Sequence, residues 1–121
     1  MNTEINSEQE TIINKLVELL KGAVSENKLV KMTVYNVPPT PGITLTSNVF
    51  VVDNNSVNVM GINFLNNDIV KLYFGRDGPS KEFTLKDFVN LFENIVKYIK
   101  EFNTDCIGTL RLIRVRELFN F

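Results

Sequence analysis

The spacing of hydrophobic residues along this 121-residue chain first predicts a helix. Apolar residues recur three or four positions apart and form one stripe, made of Ile13, Leu16, Val17, Leu20 and Val24. Ser7 and Glu10 have the spacing of a capping box at the start of a helix. Gly22 directly after Lys21 is typical of a helix end with a cation in its last turn. We therefore expect a helix over residues 8–21.

The period of the hydrophobic residues then changes to two, which predicts strands. Residues 29–36 alternate, with one face formed by Val30, Met32 and Val34 and the other by Lys31, Thr33 and Tyr35. Three prolines within residues 37–42 end this strand, because proline lacks an amide donor. Residues 43–52 are rich in β-branched side chains and predict a second strand.

Two turn signals connect the strands that follow. Residues 53–56 form a polar turn cluster, and residues 57–65 return as a strand. Asn66 and Asn67 fit a two-residue hairpin turn, because Asn tolerates the positive φ that type I′ turns need. Residues 69–74 then close an antiparallel meander of three or four strands.

A second amphipathic helix is predicted over residues 85–102, after a capping pair formed by Thr84 and Asp87. Its core-facing stripe consists of Leu85, Phe88, Val89, Phe92, Val96 and Ile99, opposite Lys86, Asn90, Glu93, Lys97 and Lys100. Residues 110–117 alternate again, which favours a final strand over a short helix.

These elements define an α+β class in one domain over residues 1–121. We expect an antiparallel sheet of four to five strands with two amphipathic helices on one face, in the order α-β-β-β-β-α-β. Residues 43–52 carry apolar side chains on both faces, so a helix or another subunit is expected to cover the second face. The apolar residues 118–121 also favour a homo-oligomer, although all of these groups packing internally is the alternative.

The composition narrows the classes of function. The 13 basic and 14 acidic residues give a net charge of −1, without the broad basic footprint of an extended nucleic-acid binder. The absence of histidine excludes His-based acid–base catalysis and His-ligated metal sites, and the lone Cys106 has no histidine to activate it. A turn that begins like a calcium loop at Asp53 has Val57 and Asn58 where a polar ligand and glycine are needed. A hydrolase built on two aspartates stays open, but no spacing supports it.

We therefore expect no enzyme, no cofactor and no metal. The acidic N-terminus does not have the form of a signal peptide, and no apolar run is long enough for a membrane span. A soluble cytoplasmic protein without a membrane partner is the expectation.

Two segments carry phosphate-binding chemistry. Arg76 lies in the loop Gly75-Arg76-Asp77-Gly78, whose amides face either an anion or only solvent as a flexible turn. Arg111, Arg114 and Arg116 are three of the four arginines, within six residues, and arginine binds phosphate as a bidentate fork. On a strand, Arg114 and Arg116 would lie on one face about 7 Å apart. The alternative is a solvated strand face with ion pairs to Glu117, Asp105 or Glu101.

Aromatic and amide groups lie near these segments. Phe74, Tyr73 and Tyr35 are candidates for stacking on a base, or are core residues. Asn90 and Asn94 lie one turn apart on the polar face of the second helix, where they are candidates to hydrogen-bond a ribose or a base edge. The chain holds sixteen asparagines and one alanine, so codon bias of an A/T-rich genome also accounts for such residues.

The architecture resembles the first family of phage Thoeris anti-defence proteins, the sponge type from clostridial phages. The resemblance consists of the meander over residues 43–74, the Phe74-Gly75-Arg76-Asp77 loop, the helix over residues 85–102 and the arginine-bearing C-terminal segment. It implies a non-enzymatic homo-oligomer that sequesters cyclic ADP-ribose isomers made by TIR-domain immune enzymes, with cyclic oligonucleotides held by some members at separate sites. It also implies sites at protomer interfaces, with aromatic groups on adenine and arginines on phosphates.

The sequence thus predicts a protein that binds a small cyclic nucleotide and leaves it intact, antagonising host antiviral immunity. The candidate ligand-binding residues, chosen on chemical grounds, are Phe74, Arg76, Arg111, Arg114, Arg116 and Asn90. The alternative is a small viral structural or inhibitor protein that acts through a protein–protein interface at the apolar tail and the exposed sheet face.

Overall fold

A computed structural model describes residues 7–35, 41–65, 68–75, 78–102 and 115–121. The described elements are α1 (Ser7–Glu26), β1 (Val30–Tyr35), β2 (Gly42–Val52), β3 (Asn55–Phe64), β4 (Ile69–Tyr73), β5 (Ser80–Thr84), α2 (Leu85–Asn90) and α3 (Phe92–Glu101). A short helix, α4, follows over residues 115–119. The five strands form one antiparallel sheet in the order β1-β2-β3-β4-β5. The α+β class is confirmed, with four described helices in place of the predicted two.

The β2–β3 hairpin turns at Asp53 and Asn54, whose φ angles are 50° and 64°. Positive φ at both central residues is what a type I′ turn requires, and Asp and Asn tolerate it. The turn predicted over residues 53–56 is therefore confirmed, although residues 55 and 56 already belong to β3. The predicted turn at Asn66 and Asn67 lies outside the described residues.

The described helices pack on one face of the sheet. Along β2, Ile43 and Leu45 are buried while Thr44 and Thr46 are only half-buried, so residues 43–47 are not apolar on both faces. Side chains that point the same way as Ile43 join the helices in one core, whose largest buried members are Phe74, Phe88, Phe119, Leu20, Ile43, Leu45, Met60, Ile62, Leu72, Ile95 and Ile99. The expectation that a helix covers the second face is wrong for the described helices.

α1 runs five residues past its predicted end at residue 21. Gly22 lies inside the helix and is exposed, with open space where a Cβ would stand. Ala23 is buried and Val24 packs against the core, so burial of the continuing apolar stripe outweighs the roughly 1 kcal/mol that an internal glycine costs. The helix ends at Glu26, and the Oδ1 of the next residue, Asn27, accepts a hydrogen bond from the Leu29 amide at 3.0 Å.

The second predicted helix is interrupted at Leu91. Thr84 caps α2 as predicted, because its hydroxyl accepts a hydrogen bond from the Asp87 amide. At Leu91 the amide is shared between the carbonyls of Asp87 and Phe88, and α3 begins at the next residue. The interruption changes which residues face the core: Ile95 and Tyr98 are buried, whereas Val89, predicted in the stripe, is 40% exposed.

The C-terminal strand predicted over residues 110–117 is wrong for its described part. Residues 115–119 are helical, and Val115 and Phe119, one turn apart, are both buried. Large apolar groups at i and i+4 suit a helix, and this spacing prevails over the local alternation. Residues 110–114 lie outside the described residues. The fifth strand is instead β5, which the sequence pattern did not predict because only Phe83 in it is apolar.

Candidate functional site

Three of the six predicted ligand-binding residues are described, and they do not lie together. Phe74 is fully buried, Asn90 is exposed at the end of α2, and Arg116 is exposed on α4. The other three predicted residues, Arg76, Arg111 and Arg114, lie outside the described part of the chain.

Phe74 is a core residue, and its predicted role in stacking on a base is not supported. Its ring contacts Tyr98, Phe119 and Phe121 at centroid distances of 5.0, 5.1 and 5.6 Å. The contacts with Tyr98 and Phe121 are edge-to-face, a favourable geometry for aromatic pairs. The side chain follows the alternation of β4 and points to the helices, so its ring offers no face to a ligand.

Arg116 and Asn90 belong to the helical side of the molecule. The Asn94 side chain, predicted as a possible ligand contact, donates from Nδ2 to the Leu118 carbonyl at 2.8 Å and joins α3 to α4. Val115 and Phe119 form the buried side of α4, and Arg116 on the same helix is exposed. The prediction that Arg116 lies on a strand is therefore wrong, because Arg116 is helical, while Arg114 lies outside the described residues.

The opposite side of the sheet carries a different set of polar and aromatic groups. We call it the open face, formed by the residues that alternate with the buried ones: Lys31, Thr33, Tyr35, Gly42, Thr44, Thr46, Gly61, Asn63, Lys71, Tyr73, Ser80 and Glu82. Apart from its two glycines, every member is half-buried or exposed. This face unites two stacking candidates named from the sequence, Tyr73 and Tyr35, on one surface.

Tyr73 lies across the middle of the open face. Its Cα is opposite Gly61, and the end of its ring occupies the space that a Cβ on Gly61 would need. Gly61 in turn stands opposite Thr44, and Thr44 opposite Thr33. Glycine is required here because any side chain would displace the ring. The result is an aromatic ring laid against the backbone of β3 with hydroxyl groups in the same row.

The neighbouring row supplies an amide and a cation. It runs from Tyr35 through Gly42 and Asn63 to Lys71 and Glu82, each the Cα partner of the next. A Cβ on Gly42 would come 2.8 Å from Asn63 Oδ1, so the Asn63 amide extends over β2. Lys71 is half-buried, and the exposed carboxylate of Glu82 stands opposite it.

This arrangement can bind a planar ring and an anion. The faces of aromatic rings accept any nucleobase by stacking, and a lysine ammonium is a strong point charge for phosphate. Asn63 and the threonines add hydrogen-bonding groups. Glu82 is the one carboxylate among the open-face residues just named. Among the described residues, no three potential metal ligands of the His, Cys, Asp and Glu types stand together.

Gly61, Asn63 and Lys71 were not predicted from the sequence as site residues. The alternation of β4 held the signal for Lys71, because Lys71 and Tyr73 alternate with the buried Val70 and Leu72. The signal for Gly61 was weaker: a glycine inside a strand indicates a close approach but does not say of which group. That Tyr73 is this group depends on the β3–β4 register.

A comparison with protein-family models, with curated proteins and with solved structures gave no match for this chain. Within the described residues, none of the helices combines the length and hydropathy that a bilayer span requires.

Proposed function

We propose that this chain is a non-enzymatic binding protein that holds a small phosphate-bearing cyclic nucleotide on the open face of its sheet. The observation that carries the proposal is the Tyr73 ring against Gly61, with Lys71 and Asn63 in the adjacent row. The base stacks on Tyr73, and a phosphate lies near the Lys71 ammonium. The Asn63 amide hydrogen-bonds the ribose or the base edge.

The chemistry of the open face favours binding over turnover. The chain has no histidine, and the open face presents an aromatic ring, a cation, an amide and hydroxyls. Such groups hold a phosphate ester without activating water toward it, because none is a general base at neutral pH. The isolated Glu82, standing opposite Lys71, is the exception that a test for hydrolysis must cover.

The identity of the ligand and its biological role rest on the resemblance to the Thoeris anti-defence sponges. A cyclic ADP-ribose isomer offers adenine for Tyr73 and a pyrophosphate for a cation. Sequestering it would antagonise host antiviral immunity in the cytoplasm. Cyclic oligonucleotides likewise offer a base for Tyr73 and a phosphate for a cation. Further phosphate contacts are still predicted for Arg76, Arg111 and Arg114. Arg116 is a candidate for a phosphate contact on the helical side of the molecule.

Thermal unfolding with added cyclic ADP-ribose isomers tests this proposal. Binding to the folded state stabilises it by RT ln(1 + [L]/Kd), about 2.7 kcal/mol at a ligand concentration of 100 Kd. We expect a rise in Tm, with the nucleotide recovered intact by mass spectrometry after heating. Recovery of a hydrolysed product would overturn the non-enzymatic part of the proposal, and an unchanged Tm would overturn the ligand class.

The protein-interface alternative has one observation in its favour. β1 pairs with residues 42–47 and β4 with residues 61–64, so the end of the β2–β3 hairpin projects beyond the five-stranded part. Val49 on this projection is 59% exposed. An exposed valine on a projecting hairpin suits a contact with a partner protein. If Val49→Asp abolishes the biological effect while nucleotides leave Tm unchanged, this alternative replaces the nucleotide proposal.

A further inference from the structure

Within the part of the chain that the structure describes, no strand pairs with the outer edge of β1. The Asn48 amide donates to the Leu29 carbonyl at 2.7 Å, so residues 29 and 48 form a hydrogen-bonded pair of the antiparallel ladder. Such pairs recur at every second residue, so the backbone amides and carbonyls of Lys31, Thr33 and Tyr35 point toward β2. The amides and carbonyls of Met32 and Val34 therefore point away from the sheet.

This edge differs from the other edge of the sheet. β5 has exposed Lys81 and Glu82, charged groups of the kind that discourage strand pairing. β1 also carries one exposed lysine, Lys31, but it exposes apolar surface at its other end, where Val34 is 45% and Tyr35 is 49% accessible. An edge strand with free backbone groups and exposed apolar side chains is a template for another strand.

We propose that a second copy of this chain docks on this edge, with the two β1 strands antiparallel about Thr33. In this register Met32 lies opposite the partner's Val34, and Val34 lies opposite the partner's Met32. Both are hydrogen-bonded pairs, so the four outward amides and four outward carbonyls of the two copies combine in four bonds. A two-fold axis through the Thr33 pair makes the interface self-complementary.

The register follows from the amide that is already used. Val30 donates its N–H to the Asn27 carbonyl at 3.2 Å, which closes the turn after α1. A register that paired Val30 with the partner's Val34 would lose that donor. The register centred on Thr33 uses only the backbone groups of Met32 and Val34, so the hydrogen bond from Val30 to Asn27 is kept.

The side chains support the same register. On the open face Lys31 stands opposite the partner's Tyr35, where its ammonium can lie over the ring. On the helix side, Val34 packs against the partner's Met32, which removes part of its exposed surface from water. The two open faces become one surface of ten strands. This inference does not depend on the nucleotide proposal, because it uses only the edge of β1.

The oligomeric state of matched valine variants tests the inference. Val34→Pro removes an outward amide without touching the β1–β2 ladder, and proline is tolerated on edge strands at such positions. Val34→Lys places a charge on the same edge, and Val49→Lys is the control, an exposed valine on the hairpin end. By light scattering we expect a mass of twice 13.8 kDa for wild type and Val49→Lys, and the monomer mass for both Val34 variants.

A monomeric wild-type chain at every soluble concentration would overturn the inference. A dimeric Val34→Pro protein with a native circular dichroism spectrum would also overturn it, since the copies would then meet elsewhere. Should Val34→Pro not fold, hydrogen exchange of the wild type decides. Slow, concentration-dependent exchange at the Met32 and Val34 amides supports β1 pairing, and fast exchange there at high concentration contradicts it.

Discussion

At the residue scale, the aromatic cluster around Phe74 connects the C-terminal segment to the core. Phe119 is 2% exposed and contacts both Phe74 and Tyr98. Lys81 adds a cation over the Phe83 and Phe121 rings at 5.6 and 6.0 Å. In the sequence Phe74 directly precedes a glycine loop, and it was therefore predicted as a residue that stacks on a base. Its burial depends on residues 45 positions further along the chain, which local patterns do not reveal.

Phe119→Ala should lower the free energy of unfolding by about 3–5 kcal/mol, because it leaves a cavity against Phe74 and Tyr98. Urea denaturation followed by circular dichroism measures this loss. Asn120→Gly is the control at an exposed neighbour and should change stability little, because glycine adopts the φ of 56° of this residue without strain. A loss below 1 kcal/mol for Phe119→Ala would show that the cluster does not anchor the C-terminus.

Gly61→Ala should weaken nucleotide binding while the fold persists. The added Cβ displaces the end of the Tyr73 ring, which is free to rotate away because it is a side-chain terminus. The entropic gain of replacing glycine, about 0.5–1 kcal/mol, offsets part of the strain. Calorimetric titration with a cyclic ADP-ribose isomer measures the affinity. Unchanged affinity with a displaced ring would remove Tyr73 from the proposed site.

Glu82→Gln should raise the affinity for a phosphate-bearing ligand, since the carboxylate opposite Lys71 competes with the phosphate for the ammonium. Lys71→Gln should lower it, and Lys97→Gln on α3, an exposed lysine of the helical side, should leave it unchanged. The same titration compares all three variants. Equal losses for Lys71→Gln and Lys97→Gln would indicate only a nonspecific effect of net charge.

At the scale of elements, the hydrophobic periods predicted α1 and the four strands of the meander, and capping chemistry predicted the start of α2. The errors lie where packing prevails over local signals. α1 continues past Gly22 because Ala23, the next residue, is buried in the core. The second helix is interrupted because Leu91 and Ile95, which were not in the predicted apolar stripe, pack on the core. β5 was missed because an edge strand with one apolar residue has almost no alternation.

Thr84→Ala should destabilise the protein by about 1 kcal/mol, because the Asp87 amide loses its acceptor at the start of α2. Thr84→Ser keeps the hydroxyl and should recover most of the loss. Thermal unfolding of the two variants makes the comparison. Equal stability of the alanine and serine variants would mean that the cap contributes nothing.

At the scale of the whole molecule, the sequence predicted the fold class but not the location of a site. Helices on one face and polar alternation on the other were both readable from the chain. Which polar residues become neighbours depends on the registers of five strands, and these registers bring Tyr73 to Gly61 and Lys71 to Asn63. Of the predicted arginines, the described Arg116 belongs to the helical side and lies apart from the open face.

Arg114→Ala combined with Arg116→Ala distinguishes these two locations. If the open face alone holds the ligand, affinity should fall less than twofold and the fold should persist, because Arg116 is exposed. A complete loss of binding with native stability would move the phosphate contacts to the C-terminal segment. Titration calorimetry on the double variant gives the answer.

The most direct measurement of the central claim is calorimetric titration of a cyclic ADP-ribose isomer into wild type, Tyr73→Leu and Tyr73→Phe. Base stacking contributes about 1–3 kcal/mol, so Tyr73→Leu should weaken binding about fivefold or more, while Tyr73→Phe keeps the ring and most of the affinity. Equal affinity of wild type and Tyr73→Leu, or no heat of binding to the wild type, would contradict the assignment of the open face as the nucleotide site.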